Sequence, residues 1–462
     1  MTPTDRLPLI GHRKLAQPLA WRAGVPVSCA RFLAEAASLA ERLPAGRHLA
    51  NLCEDRYRFA VALAAALLAG KTSLLPPSRH EQALARVFAA HPDAGAIAEE
   101  AVPGCAGPLV LYPADLGAGE WSGAVPAIPV DQVAAIVFTS GSTGVPQPNV
   151  KRWGKLVASG TAERAALELP SGGFSVLGTV PPQHMYGFES TVLMALAGGG
   201  AMHPARPLFP RDVQAALDEL PAPRVLVTSP IHIRALVEAD VTLPALELVL
   251  SAAAPLAPEL AAAAEQRFAT RVHEIYGFTE AGQVATRRTT ASPVWRTMNG
   301  IRVVSAGDGW AVEGAMIHGR VPVSDLIRRL SATEFVLEGR ATDIVNVAGK
   351  RASLADLNRA LTAIPGVDDG AFHVPERADG RVARLMAFVV APRQTKREIM
   401  AALRRTVDPA FLPRPLVKVE RLPRAATGKL PFEALRALEA AHAVAGRAPR
   451  ARDDATPHPD GE

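Results

Sequence analysis

Between residues 134 and 275, short runs of β-branched and aliphatic residues keep returning, each closed by turn residues. They are Ala134 to Thr139, Ser175 to Val180, Val225 to Thr228, Leu246 to Leu250 and Arg271 to Ile275. Helical stretches stand between them, including Trp153 to Leu167, Val213 to Leu220 and Pro258 to Phe268. This alternation predicts an α/β chain whose sheets are covered by helices. Upstream, Ser28 can cap a helix whose Phe32, Leu33, Ala36, Leu39 and Ala40 share one face. The Ala/Leu-rich segment 57 to 69 reads as a second, more buried helix.

After Arg340 the pattern becomes shorter, basic and α+β. A strand is expected near Ile344 to Val347, a helix from Ser353 to Ile364, strands near Ala371 to Val374 and Leu385 to Val390, and a helix from Thr395 to Val407. The last seventeen residues hold Arg, Asp, Pro and Ala with almost no apolar content and are expected to be disordered. The division expected is a large N-terminal domain over 1–339, a small mobile α+β domain over 340–445 and a tail over 446–462. A chain of 462 residues, 48% hydrophobic and 21% charged, has core material for two or three such domains.

Charge and cysteine content exclude several classes. Lys plus Arg number 50 against 45 Asp plus Glu, a net +5 too mild to imply nucleic acid. The surplus is uneven: from Arg340 onward there are 21 basic and 15 acidic residues, leaving the first 339 near neutral. Cys29, Cys53 and Cys105 stand without CxxC or Cys/His pairing, so neither a disulfide framework nor a zinc site is indicated. The run Leu7 to Ile10 is too short for a signal-peptide core, and Phe59 to Gly70 falls short of the ~20 residues that span a bilayer. A cytoplasmic protein with no transmembrane segment is expected.

The most informative local feature is Thr139-Ser140-Gly141-Ser142-Thr143-Gly144-Val145-Pro146, directly after the apolar strand Ala135 to Phe138. Its glycines permit tight turns, and its hydroxyls and successive N–H groups can surround phosphate oxygens. No Gly-Lys-Ser/Thr closes it, so it is not a Walker A loop. Gly70-Lys71-Thr72 follows a helical run and reads as a helix end leading into a strand. An ordinary P-loop NTPase or kinase is thereby excluded.

These residues resemble the phosphate loop of the adenylate-forming superfamily of acyl-CoA synthetases, adenylation domains and luciferases, which reads Thr-Ser-Gly-Ser-Thr-Gly-x-Pro-Lys-Gly. The match breaks at Gln147-Pro148, and Lys151, Arg152 or Lys155 are candidates to restore the lost charge. Further segments resemble the family in its order. Pro181-Pro182-Gln183-His184-Met185-Tyr186-Gly187 implies a His184 at the mouth of the acid pocket. Ser251-Ala252-Ala253-Ala254-Pro255-Leu256 implies a backbone bordering adenine and acyl group, with Ala253 and Ala254 against the nucleotide. Tyr276-Gly277-Phe278-Thr279-Glu280 implies a ring for adenine, a hydroxyl near the α-phosphate and a carboxylate for Mg²⁺.

Asp325 stands where the family binds ribose, although Val323-Ser324 replaces the usual Thr-Gly, and it could instead cap a following helix. Arg340 would contact ribose or phosphate at an interdomain hinge near Thr342. Gly349 matches the glycine that the pantetheine arm passes. Leu422-Pro423-Arg424-Ala425-Ala426-Thr427-Gly428-Lys429 resembles the C-terminal motif whose lysine, here Lys429, neutralises charge during adenylation. The acid pocket is expected to involve His184, Phe188, Thr228, Ser229, Ala252 and Gly277.

The resemblance implies an AMP-forming acid–thiol ligase. A carboxylate attacks the α-phosphorus of Mg-ATP, the small domain rotates, and a thiol of coenzyme A or of carrier-protein phosphopantetheine attacks the acyl-adenylate. The compact length and Trp153 after Lys151-Arg152 resemble the ligases of aryl-polyene or xanthomonadin-type pigment clusters, which implies an aryl or fatty acid. A non-catalytic acyl-adenylate or nucleotide-binding relative is the alternative, motivated by Gln147, Ser324 and Thr342. The basic C-terminal region either attracts the acceptor's negative charge or is a solvated surface.

Overall fold

A helix with no polar face must be covered on every side. Arg56–Leu68 is such a helix: every residue from Phe59 to Leu67 is buried, and the Asp55 side chain caps it by accepting the Arg58 N–H at 2.9 Å. Beside it lies Cys29–Ala40, capped by Ser28 as its sequence predicts, with the Phe32 ring edge-on to Tyr57 at 6.1 Å. The computed structural model describes the chain except for residues 1–4, 13, 77, 118, 141–145, 308, 341–343, 348–349, 376–384, 426–427, 429 and 446–462. It divides into two compact units, residues 1–342 with 426–428 and residues 343–425 with 429–462.

In the first unit, a six-stranded sheet runs in the order Pro146–Arg152, Val133–Ser140, Thr72–Leu75, His48–Asn51, Gly95–Ala98, Leu109–Leu111. All neighbours are parallel except the first pair, which is antiparallel. Pro146 and Pro148 disguise that outer strand in the sequence. Proline has no N–H to give a ladder, and here it stands on an edge, where none is required.

An eleven-stranded sheet carries most of the candidate residues. Its middle is four parallel neighbours, Ser175–Gly178, Arg224–Thr228, Leu248–Ser251 and Arg271–Phe278. Alternation along them is strict: Leu226 and Val249 face helices Pro210–Asp218, Pro230–Glu238 and Pro258–Phe268, while Val225, Val227, Leu248 and Leu250 face the opposite core. Those three helices each begin on proline, whose missing N–H costs nothing at a first helical position. Gly282–Arg288, Val294–Thr297, Glu334–Arg340 and Asp325–Arg329 extend the sheet antiparallel. The expectation that Asp325 could cap a helix is corrected: residues 325–329 form a strand laddered to 334–340. The carboxyl ends of the four parallel strands share one edge, the place where sheets of this kind bind ligands.

The second unit is α+β. Asp369–His373 pairs antiparallel with Met386–Val390, which pairs parallel with Leu416–Lys418. Helices Leu354–Thr362 and Lys396–Thr406 pack Leu361, Ile399 and Leu403 with Phe372 and Ala387. Thr395 and Glu398 form a reciprocal capping box on the second helix. Among the described residues, no helix is long and apolar enough to cross a membrane.

Candidate active site

The segment carrying His184 leaves the end of Ser175–Gly178 and turns back sharply. The His184 N–H reaches the Pro181 carbonyl at 3.3 Å, and the Phe188 N–H reaches that of His184 at 2.7 Å. A Cβ on Gly187 would stand 2.1 Å from the Pro181 oxygen, so the motif's glycine is required by the closeness of its own two ends. Arg56 braces this turn from below. It is fully buried, and its guanidinium donates to Gly178 O (2.9 Å), Val180 O (3.0 Å), Thr191 Oγ1 (3.0 Å), His203 O (2.8 Å) and Ala205 O (2.8 Å). Burial pulls it down to about 10, which leaves it charged at neutral pH.

Tyr186, from the same segment, donates its hydroxyl to the carbonyls of Thr228 (3.0 Å) and Leu250 (2.9 Å), sharing one proton between two neighbouring strand ends. Thr228, Thr179, Ser229 and His232 form a polar group beside it. Thr179 and Thr228 hydroxyls are 2.8 Å apart, and His232 Nδ1 is 3.0 Å from Ser229 Oγ. Burial, with Arg206 adding to it, holds His232 below its ordinary value and favours the neutral ring. Phe188 corrects the pocket expectation: it is fully buried, edge-on to Phe59 at 6.1 Å, and belongs to the core.

The segment 251–256 follows Leu248–Ser251. Ala253 has φ of +73°, a left-handed conformation that L residues seldom adopt, and Ala252 is buried. The buried Ser251 hydroxyl has no partner among the described residues, an unmet hydrogen bond that suits a ligand group. Glu274 holds the segment in place. Its carboxylate accepts from the Leu256 N–H at 3.1 Å, Thr289 Oγ1 at 2.6 Å, and Arg287 at 2.6 and 2.8 Å. Arg287 in turn lies over the Trp295 ring at 4.4 Å.

Trp295 passes this support to the next motif. The Tyr276 ring packs against Trp295 (5.7 Å), Phe335 (5.5 Å) and Phe278 (6.1 Å), and its hydroxyl donates to Asp325 Oδ2 at 2.7 Å. The residue is 8% exposed, so a base would meet only a small part of its ring, and its visible work is to orient Asp325. Asp325 and Arg340 are direct cross-strand partners, which brings together two residues fifteen positions apart. At Gly277 the ladder to Gly282–Arg288 shifts register, and a Cβ there would meet the Gly282 oxygen at 2.5 Å.

Thr279 and the exposed Glu280 form the turn after this strand. Among the described residues no three His, Cys, Asp or Glu converge as a metal cage. One exposed carboxylate beside a hydroxyl is instead the donor set suited to Mg²⁺ that arrives on nucleotide phosphates, because that ion keeps most of its shell from water and phosphate oxygens. The residues present fit it.

Of the phosphate loop, Thr139 and the backbone of Ser140 end the strand Val133–Ser140, paired with Gln147 and Pro146 of its antiparallel neighbour. Gly141, Ser142, Thr143 and Gly144 lie outside the described residues, as do Thr342, Gly349 and Lys429. The three cations considered as substitutes each have a backbone partner. Lys155 donates to Ala315 O at 2.7 Å, Arg152 to Asp131 O at 2.5 Å, and the buried Lys151 to Thr279 O and, at 3.3 Å, Glu280 O. In the second unit, Arg424 makes two 2.7 Å bonds to the two oxygens of Asp369, pinning the start of the segment that leads to Lys429.

Sequence reading named the motif residues and missed those that brace them: Arg56, Glu274 and Arg287, with Tyr186 read only as part of its motif and given no role. An arginine in the first turn of an Ala/Leu-rich helix was a signal for Arg56, shared with Arg58. Comparison with known proteins agrees with the motif order. Residues 19–307 match the family model described as AMP-binding enzyme, and residues 356–429 match that described as AMP-binding enzyme C-terminal domain. The 4-coumarate–CoA ligase of Rhodobacter capsulatus is 30% identical over 272 residues, 58% of this chain and 66% of that protein, so the match spans just under two thirds of this relative. The enzyme of the same name from Halorhodospira halophila is 30% identical over 309 residues, 63% of this chain and 73% of its own. ATP-bound MatB from Rhodopseudomonas palustris shares the fold at a TM-score of 0.76 and 19% identity, covering 92% of this chain and 97% of that one. With a matching model over more than half its length and three of the family's motifs following parallel strands of one sheet, the chain belongs to the AMP-binding enzyme family.

Proposed function

We propose that this protein activates a carboxylic acid as its acyl-adenylate and transfers the acyl group to a thiol. The observation that carries the reading is the Tyr276–Glu280 motif on the carboxyl edge of four parallel strands, with Asp325 oriented by Tyr276 and paired across the ladder with Arg340. Asp325 takes the ribose hydroxyls, Ala253, Ala254, Tyr276 and Gly277 border the adenine, and Arg340 contacts ribose or phosphate. Thr139, Ser140, Gly141, Ser142, Thr143 and Gly144 hold the outer phosphates. Thr279 meets the α-phosphate and Glu280 binds Mg²⁺, which when present spreads the phosphate charge that would repel an incoming carboxylate.

In the first step, a substrate carboxylate oxygen bonds to the α-phosphorus and pyrophosphate departs. The carboxylate is already a nucleophile, so the chain supplies position and positive charge, with Lys429 opposite the reacting oxygens. In the second, a thiolate attacks the acyl carbon and AMP departs. Movement of the unit after Thr342 exchanges Lys429 for Gly349, past which the pantetheine arm reaches the adenylate. His184 stands at the pocket mouth.

An aryl acid is the substrate class favoured. Two relatives are named 4-coumarate–CoA ligase. Coenzyme A is the favoured thiol, by the same names. Acid-dependent exchange of labelled pyrophosphate into ATP tests the reading across a panel of aryl and fatty acids. Exchange with an aryl acid is expected; no exchange with any acid, while ATP still binds, contradicts it and favours a nucleotide-binding relative.

A further inference from the structure

The strand Pro146–Arg152 is an edge, and Gln147, Pro148 and Val150 on it are exposed. Lys151 is the exception, at 7% exposure. Taking an ammonium out of water is costly unless its N–H groups are met and its charge is balanced. Two backbone carbonyls meet its N–H groups, and two carboxylates lie near enough for their charge to act on it. The Nζ donates to the carbonyls of Thr279 and Glu280, the two residues of the turn that ends the Tyr276 strand. Beneath them is Glu189, 2% exposed, whose carboxylate accepts from Ser159 Oγ at 2.7 Å and from the Gln283 backbone. A Cβ on Gly282 would stand 2.8 Å from Glu189 Oε1, so this acid lies directly under the same turn. Burial lowers Lys151 below the ordinary lysine value, while the charges of Glu189 and Glu280 act to keep it protonated.

A surface lysine at position 147 would face solvent, and the chain has glutamine there. The buried cation four residues later stands on the same face of the strand, where it meets the backbone that carries the proposed α-phosphate hydroxyl and metal carboxylate. We propose that Lys151 is a positioning residue: its ammonium, backed by Glu189, fixes the Thr279–Glu280 turn so that hydroxyl and carboxylate meet a metal-bound nucleotide together. This rests on the proposed function in assigning Thr279 and Glu280 to Mg-ATP. Partners behind a metal ligand commonly change metal affinity by about 10- to 100-fold when removed.

The test separates positioning from simple neutralisation of Glu189. Lys151→Met leaves Glu189 without its cation; Lys151→Met/Glu189→Gln removes both charges and leaves only the two carbonyls unmet. Binding of Mg-ATP, without acid, is measured by titration calorimetry on each full-length chain, beside thermal melting. The double variant is expected to melt near the wild type yet bind Mg-ATP about tenfold more weakly, with metal-free ATP binding little changed. Wild-type Mg-ATP affinity in the double variant overturns the proposal, as does wild-type affinity in Lys151→Met, and the double variant carries the test if the single one fails to fold. A wild-type chain that does not bind Mg-ATP overturns the functional reading as well; one that does, with unchanged variants, overturns this inference alone.

Discussion

Arg56 in the first unit and Arg404 in the second show one side chain used in two ways. Arg56 is fully buried and its guanidinium donates to four backbone carbonyls and the Thr191 hydroxyl. Arg404 is exposed, as are Arg393, Lys396, Arg397, Arg405, Arg414, Lys418 and Arg421. The same contrast holds for acids: Glu163, Glu189 and Glu274 are buried in the first unit, with no comparable group among the described residues of the second. Buried charges respond to pH and to loss of their partners, whereas exposed ones respond to salt. The first unit is thereby organised to hold a geometry, and the second to present charge and, in the proposed function, Lys429.

The largest effect expected is on chemistry. Lys429→Ala should lower acyl-adenylate formation about 10³-fold, or ~4 kcal/mol, while thioester formation from preformed adenylate stays within a few-fold. Single-turnover assays of each half-reaction check it, and equal loss in both would remove the division of labour between the units. Next is Glu274→Ala, which strips a buried carboxylate from Arg287, Thr289 and the Leu256 N–H; a loss of about 3 kcal/mol in denaturant unfolding is expected.

Third is a pH effect confined to the first unit. Glu163 is fully buried, which raises its pKa to about 8, against an ordinary 4.5, with Gln283 Nε2 donating to it at 2.7 Å. Between pH about 5 and 8 the folded chain holds a proton there that the unfolded chain has released. Stability therefore falls as pH rises through that window. Glu163→Gln should flatten this slope and gain on the order of 2 to 3 kcal/mol at pH 8 relative to pH 5. An unchanged slope would show that Glu163 ionises freely. The smallest effect should be salt: raising it from ~50 to ~300 mM should slow thioester formation several-fold with little change in pyrophosphate exchange. Equal sensitivity of both steps would make the basic surface of the second unit a solvated one.

What was legible in the sequence divides along the same line. Motifs are local: Tyr276 to Glu280 sits within five residues, so the motif itself reads directly, whereas the Tyr276 bond to Asp325 does not. The supports are not local. Lys151 meets a turn about 130 positions away, and Arg56 meets carbonyls more than 120 positions away, so no window of sequence contains both partners. Asp325 allowed a ribose-binding carboxylate or a helix cap, and its ladder with Arg340, a partner outside any local window, removes the cap. The prolines of Pro146–Arg152 hid an edge strand for the reason that makes them tolerable there. Strand and helix periodicity, by contrast, located the central parallel strands and the longer helices, because burial on one face imposes a repeat that survives without knowledge of the partner.

The central claim is that a substrate carboxylate attacks the α-phosphorus of ATP at the Tyr276–Glu280 edge. Supplying a turned-over acid with both carboxylate oxygens labelled as oxygen-18, together with ATP and coenzyme A, tests it by mass spectrometry of the nucleotide. The account predicts one labelled oxygen in AMP and unlabelled pyrophosphate. Unlabelled AMP, or label in a released phosphate, would contradict it.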